Sequence, residues 1–248
     1  MKLPVNIFII AILLLFFGLR TNAQENSEKV LIQTSKGNII VELYKETPLH
    51  TKNFIKLAES GFYDSLLFHR VIPGFMIQGG DPQSKNAKKG QKLGNSNPDY
   101  TIPPEFSDSL IHKRGALAAA RKSDQINPGK ESSGSQFYLV QGQSFDAEKL
   151  RKMDEQRITQ LYNKQITKFL RKPENDSLLK HYQTLTEDES YNEARDFWEA
   201  QKPQVAHLVE PFRLSDKQIK TYAEIGGAPH LDGGYTVFGE IVEGFEVL

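Results

Sequence analysis

Short alternating runs recur along this chain. They fall at Val30–Thr34, Ile39–Tyr44, Leu67–Ile72, Phe75–Gly79, Ala116–Ala120, Phe137–Gln141 and Thr236–Ile241, separated by Gly, Pro and Asn turns. A period of two predicts strands, and their spacing predicts a mainly antiparallel architecture. One segment between them has helical spacing instead: Thr47–Glu59 carries Phe54, Ile55 and Ala58 on one stripe, with Gly61 just past its end. Together these elements predict a mainly β fold, a closed antiparallel β-barrel with helices plugging its ends.

After Phe145 the pattern changes. Asp146–Lys172 is dense in charge, with Leu150, Met153, Leu161, Ile166, Phe169 and Leu170 falling roughly on one stripe, and Pro173 ends it. Further helical stretches are predicted near Ser177–Leu185 and Asp188–Gln201, punctuated by Pro203 and Pro211. Ser215–Gln218 has the form of a capping box, with Ile219, Tyr222 and Ile225 as the buried face and Gly226-Gly227 as the stop. Residues 146–228 therefore read as a helical insertion, splitting a barrel into residues 24–145 and 229–248. The plainer reading is an excursion that packs its own stripe. The sharper one is an arm that grips a substrate or partner.

The N-terminus has the pattern of a leader. Lys2 precedes a nearly unbroken apolar run from Ile7 to Leu19, and Ala23 offers a small residue for cleavage. The run has signal-peptide length and is short for a membrane span, so residues 1–23 are expected to direct export, in all to the periplasm. A membrane association would arise only if the leader stayed uncleaved.

Composition narrows the chemistry. Lys+Arg and Asp+Glu each number 31, which argues against a nucleic-acid footprint or a polybasic membrane patch. With no cysteine, disulfides, thiolate catalysis and thiolate metal sites are excluded. The six histidines show no metal-ligand spacing, and neither metal nor cofactor is expected. Ser133 and Ser135 flank Gly134 without the elbow or the His/Asp order of a hydrolase.

The run from Tyr63 to Pro82 stands out. It places Arg70 in an apolar alternating segment, followed at once by Phe75, Met76 and Gln78. A cation there must be partnered or kept for a ligand, because burying it unpaired is expensive. Phe68-His69-Arg70, Phe75-Met76, Gln78 and Gly80 together resemble the signature of cyclophilin-type peptidyl-prolyl cis-trans isomerases. Further blocks follow in that family's order: Pro104-Glu105-Phe106, Gly115–Arg121, Ser133–Tyr138 and His230–Gly239. The resemblance covers roughly residues 29–145 and 229–248. It implies the cyclophilin barrel, which in the family continues past Val247 with a helix and a closing strand. This sequence stops at Leu248, so the expectation is a piece of a longer chain; the alternative is an open edge beside Val30–Thr34.

The resemblance also implies an activity, the rotation of X-Pro bonds in proline-containing polypeptides during folding. Carried over residue by residue, it makes Arg70 catalytic and places Phe75, Met76, Gln78, Ala120, Gln136 and Leu231 in the substrate groove. Arg121 stands where asparagine is usual and is expected to add charge at the rim. Tyr138 replaces a phenylalanine, gaining a hydroxyl that needs a partner. Tyr235 replaces a histidine. His230 stands where animal-type members have the tryptophan associated with cyclosporin binding. Because Phe137 and Tyr138 alternate, only one can face the groove. The alternative function is a proline-segment-binding or holdase module with little isomerase activity.

Overall fold

The computed structural model describes residues 27–209 and 212–248; the leader expected at 1–23, and Glu210 and Pro211, lie outside the described residues. The alternating runs fold as β1 (Lys29–Thr34), β2 (Gly37–Leu43), β3 (Arg70–Ile72), β4 (Met76–Gly79), β6 (Ala116–Ala119), β8 (Phe137–Val140) and β9 (Val237–Glu243). Two further strands, β5 (Thr101–Ile102) and β7 (Ser132–Ser133), pair with each other. At two residues each they are too short to show alternation in the sequence.

The seven longer strands form one antiparallel sheet in the order β1-β2-β9-β6-β8-β4-β3. A closed barrel would need β1 and β3 to share a ladder. They do not: the sheet is an open half-barrel with β1 at one edge and β3 at the other. The predicted strand Leu67–Ile72 also shrinks to the three residues of β3: Leu67–His69 stay outside the ladder, with Leu67 N–H donating to Ser84 Oγ at 3.0 Å. So short a strand, with Val71 61% exposed, offers little ladder to close against.

Both faces of the sheet are covered, and alternation sorts side chains between them. Leu117, Ala119, Phe137 and Leu139 point to one side, into a core with Ile39, Val41, Leu43 and Phe238. Helix α1 (Pro48–Glu59) seals that side with Phe54, whose ring meets Phe137 edge-on at 5.2 Å. Thr47 makes no side-chain cap to α1. Instead the Glu105 carboxylate accepts from the backbone N–H groups of Leu49 and His50, both at 3.0 Å, placing an anion at the positive helix end. Ala116, Ala118, Tyr138 and Val140 point the other way, with Met76 and Val237, toward the candidate site.

The expected helical segment is present as α2 (Ala147–Leu170), α3 (Asp176–Glu187), α4 (Tyr191–Glu199), α5 (Lys202–Val205) and α6 (Asp216–Ile225). Asp146 caps α2 by accepting from Glu148 and Lys149 N–H at 2.9 and 3.1 Å. At α6 the capping box of Ser215 and Gln218 forms as its sequence predicts. The segment has two small cores. Leu150, Ile219 and Tyr222 pack with Ile111 of the sheet domain, whereas Ile166, Leu170 and Val205 form a distal cluster with Phe197 and Trp198 beside it. Ile158, off the expected stripe, is buried, and Ile225, expected in the buried face of α6, is 44% exposed because the turn at Gly226 begins there.

The segment leaves and re-enters at one point. Gly142 and Gly227 touch backbone to backbone, and a Cβ on Gly142 would lie 2.5 Å from the Cα of Gly227. Both have positive φ, +65° and +154°, so glycine is required for conformation as well as for space. Gly227 bridges to Lys113 and to Gln143.

Candidate functional site

Strand register builds the site. Arg70 on β3 lies opposite Gln78 on β4, Gln78 lies opposite Tyr138 on β8, and Tyr138 lies opposite Ala118 on β6. A row thus crosses four strands and presents a guanidinium, an amide and a phenol. They line a pocket of about 140 Å³. Sites for drug-sized ligands run about 300–1,000 Å³, so this one suits a single small ring. Every residue expected from the sequence lines the pocket except Gln136 and His230.

Gln136 acts from behind. It is 4% exposed. Its Nε2 donates to the carbonyls of Gly94 and Ser96 at 3.1 and 2.7 Å. Its amide nitrogen is thereby committed, so Oε1 accepts from Gln78 Nε2 at 2.9 Å. That leaves Gln78 Oε1 to accept from Arg70 Nη1 at 3.2 Å. Two amides therefore fix one edge of the Arg70 fork. Arg70 is exposed, and its remaining donors are open to a ligand at the mouth.

Arg121 departs from expectation. It is no free rim cation: its side chain is 6% exposed and pairs with Asp124 at 2.8 Å. It also donates through Nε to Gly234 O at 2.6 Å and through Nη1 to Lys122 O at 2.9 Å, and it stacks 4.4 Å over the Tyr235 ring. Burial would raise the Asp124 carboxyl, but the hydrogen bond and charge of Arg121, with Lys130 and Lys164 adding, hold it below its ordinary value. Arg121 is a fixed wall, and its charge is spent locally.

Tyr138 faces the pocket and Phe137 the opposite core. The Tyr138 hydroxyl meets His112 Nε2 at 2.9 Å. Burial pushes this phenol well above its ordinary value, so it is a neutral donor. His112 Nδ1 lies 2.8 Å from Asp232 Oδ1. Sequence reasoning missed His112 and Asp232. Both lie inside or beside the motif blocks, but nothing in the local pattern shows that they meet.

His230 is exposed and lies at the lip, its ring 5.2 Å from that of Phe75 and tilted by 40°. Burial on its inner side, and then nearby His112, lower its imidazole below the ordinary value, with Asp232 opposing. Burial likewise lowers His69. A second, larger cavity of about 600 Å³ adjoins the pocket and shares Gln78, Ala120 and Arg121 with it. Loop residues such as Asn95, Asn97 and Asn127 line it. Lacking periodicity, these loops gave no sequence signal.

Comparison with known proteins follows the same lines. A family profile described as cyclophilin type peptidyl-prolyl cis-trans isomerase matches residues 29–181. A Staphylococcus haemolyticus protein provisionally named a peptidyl-prolyl cis-trans isomerase is 30% identical over 227 residues, 91% of this chain and 81% of that protein. A Streptococcus pyogenes protein provisionally named a bifunctional phosphatase/peptidyl-prolyl cis-trans isomerase is 32% identical over 89% of this chain, which spans only 33% of that protein. A Synechococcus elongatus peptidyl-prolyl cis-trans isomerase is 38% identical over 45% of this chain and 67% of its own length. The crystal structure of a Cryptosporidium parvum cyclophilin type peptidyl-prolyl cis-trans isomerase, 21% identical, aligns over 90% of this chain and 82% of its own at a TM-score of 0.46.

Proposed function

This chain belongs to the cyclophilin-type peptidyl-prolyl cis-trans isomerase family, and from that premise we propose that it accelerates rotation about X-Pro bonds in exported, proline-containing polypeptides. The observation that carries the reading is the Arg70 fork, fixed on one edge by Gln78 and Gln136 at the mouth of a one-ring pocket.

Rotation about an X-Pro bond crosses a barrier set by amide resonance, and uncatalysed exchange takes tens to hundreds of seconds. No bond is made or broken, so no nucleophile, base or metal is needed. In the twisted form the prolyl nitrogen regains a lone pair and the carbonyl loses its amide character. A catalyst has to bind that form better than either planar one. The pyrrolidine ring would sit against Phe75, Met76 and Leu231, with Tyr138 and Tyr235 closing the pocket. Arg70 would then aim donors at the twisted imide without reorganising, because Gln78 already orients its guanidinium. A module that only bound proline segments would gain little from a pre-aimed cation.

The apolar run Ile7–Leu19 supports export to the periplasm, where newly delivered chains would be the substrates. The test is a proline-isomerisation assay on a tetrapeptide, coupled to proteolysis of the trans form, with a parallel measurement of peptide binding. Turnover supports the reading. Peptide binding without turnover would replace it with a proline-segment-binding or holdase role.

A further inference from the structure

The pocket is wired to the helical segment. Tyr222 of α6 donates its hydroxyl to Asp232 Oδ2 at 2.6 Å. Asp232 Oδ1 takes the backbone N–H of His112 at 2.9 Å and the His112 ring at 2.8 Å. The far side of that ring meets the Tyr138 hydroxyl at 2.9 Å. In the neutral tautomer that donates His112 Nδ1–H to the carboxylate, Nε2 is bare and accepts from the Tyr138 O–H. The four side chains are nearly sealed from water, with residue exposures of 0% for Tyr222 and His112, 4% for Tyr138 and 6% for Asp232. The α2 residue Arg157 adds a second tether, donating to Asp232 O at 3.3 Å.

We propose that Tyr222 is a positioning residue for the proline pocket, setting the place of the Tyr138 ring through Asp232 and His112. This proposal rests on the isomerase reading above. A phenylalanine at 138 could slide within its packing. A tyrosine tied at its tip to a fixed imidazole cannot, because moving the ring would leave a buried hydroxyl and Nε2 unpaired. Tyr235, which closes the pocket together with Tyr138, packs edge-on against both partners, 6.4 Å from His112 and 6.2 Å from Tyr138. The relay therefore places both rings that close the pocket. Its far end lies outside the sheet, in the segment whose plainer reading made it an excursion packing on itself.

A double-mutant cycle on the full chain tests this. Tyr222→Phe removes one hydroxyl and keeps the ring that packs on Gly227. It is expected to lower kcat/KM for a tetrapeptide about three- to tenfold, the range of one hydrogen bond. Tyr138→Phe cuts the relay at its other end, and in that background Tyr222→Phe should change kcat/KM less than about twofold. Equal effects in both backgrounds, or none in the wild-type background, would overturn the proposal, since a merely structural Tyr222 would act independently of the Tyr138 hydroxyl. NMR of ring-labelled tyrosine gives a readout that needs no turnover. Tyr222→Phe should shift the Tyr138 ring signals, and unmoved signals would likewise overturn the relay. A wild type that turns over no peptide but shows the shift would sink the isomerase reading alone.

Discussion

Replacing Arg70 with alanine should separate catalysis from stability. The side chain is exposed, and its hydrogen bond to Gln78 at 3.2 Å is long. Losing an exposed contact of this kind costs the fold about 1 kcal/mol at most. Gln78 stays held by Gln136, so the pocket wall should not collapse. In the proposed mechanism, by contrast, Arg70 meets the charge that develops in the twisted imide. Removing one pre-aimed donor of that kind costs about 3–4 kcal/mol of transition-state stabilisation, roughly a hundred- to thousandfold in rate. The assay is kcat/KM for a tetrapeptide with one X-Pro bond, run beside thermal unfolding of the same preparations. Arg70→Lys keeps the charge but loses the planar fork and should recover only part of the rate. An Arg70→Ala protein that unfolds normally and keeps more than about a tenth of wild-type kcat/KM would refute the mechanism.

Further outcomes follow from neighbouring groups. Gln136→Leu should reduce kcat/KM by about tenfold by freeing Gln78 and with it Arg70; an unchanged rate would show that Arg70 needs no orienting relay. Cyclosporin should inhibit weakly, because the His230 imidazole offers less apolar contact than an indole, and His230→Trp should tighten inhibition; nanomolar inhibition of the wild type would contradict this. Stability should fall as pH drops below about 6.5, the ordinary imidazole value. Burial lowers His50, His69 and His230 in the folded chain, so below that pH the unfolded chain binds more protons and unfolding is favoured. Denaturant midpoints that rise on acidification would reverse this sign.

The helices α1 and α2 were legible from their period of about 3.6, and β6 and β8 as short, wholly apolar runs bounded by turn residues, the mark of strands buried on both faces. The pocket residues were legible because motif and strand register coincide, so that Arg70, Gln78 and Tyr138 share one row. Sheet closure was not. It depends on whether two edges far apart in sequence meet, and no local pattern encodes that. The burial of Arg121 was hidden for a similar reason, since its carbonyl partner at Gly234 lies 113 residues away. The sequence did show that the Tyr138 hydroxyl would need a partner. Naming His112 required knowing which side of β8 it reaches, and finding Tyr222 required the path of the whole helical segment.

The backbone crossing of Gly142 and Gly227 has a consequence for how such a chain can change. Because the two strands of the neck are stapled there, the sheet sees a tight turn whatever lies between them. Loop-closure entropy grows only as the logarithm of length, so helices can be added to or trimmed from the distal cluster at small cost to the sheet. Tolerance should be graded along the segment. Around Phe197 and Trp198 the segment answers only to its own distal packing, and near Tyr222 and Arg157 it is tied by hydrogen bonds to Asp232 beside the pocket. A lineage could lengthen this arm freely and yet find its last turn before the neck closed to change.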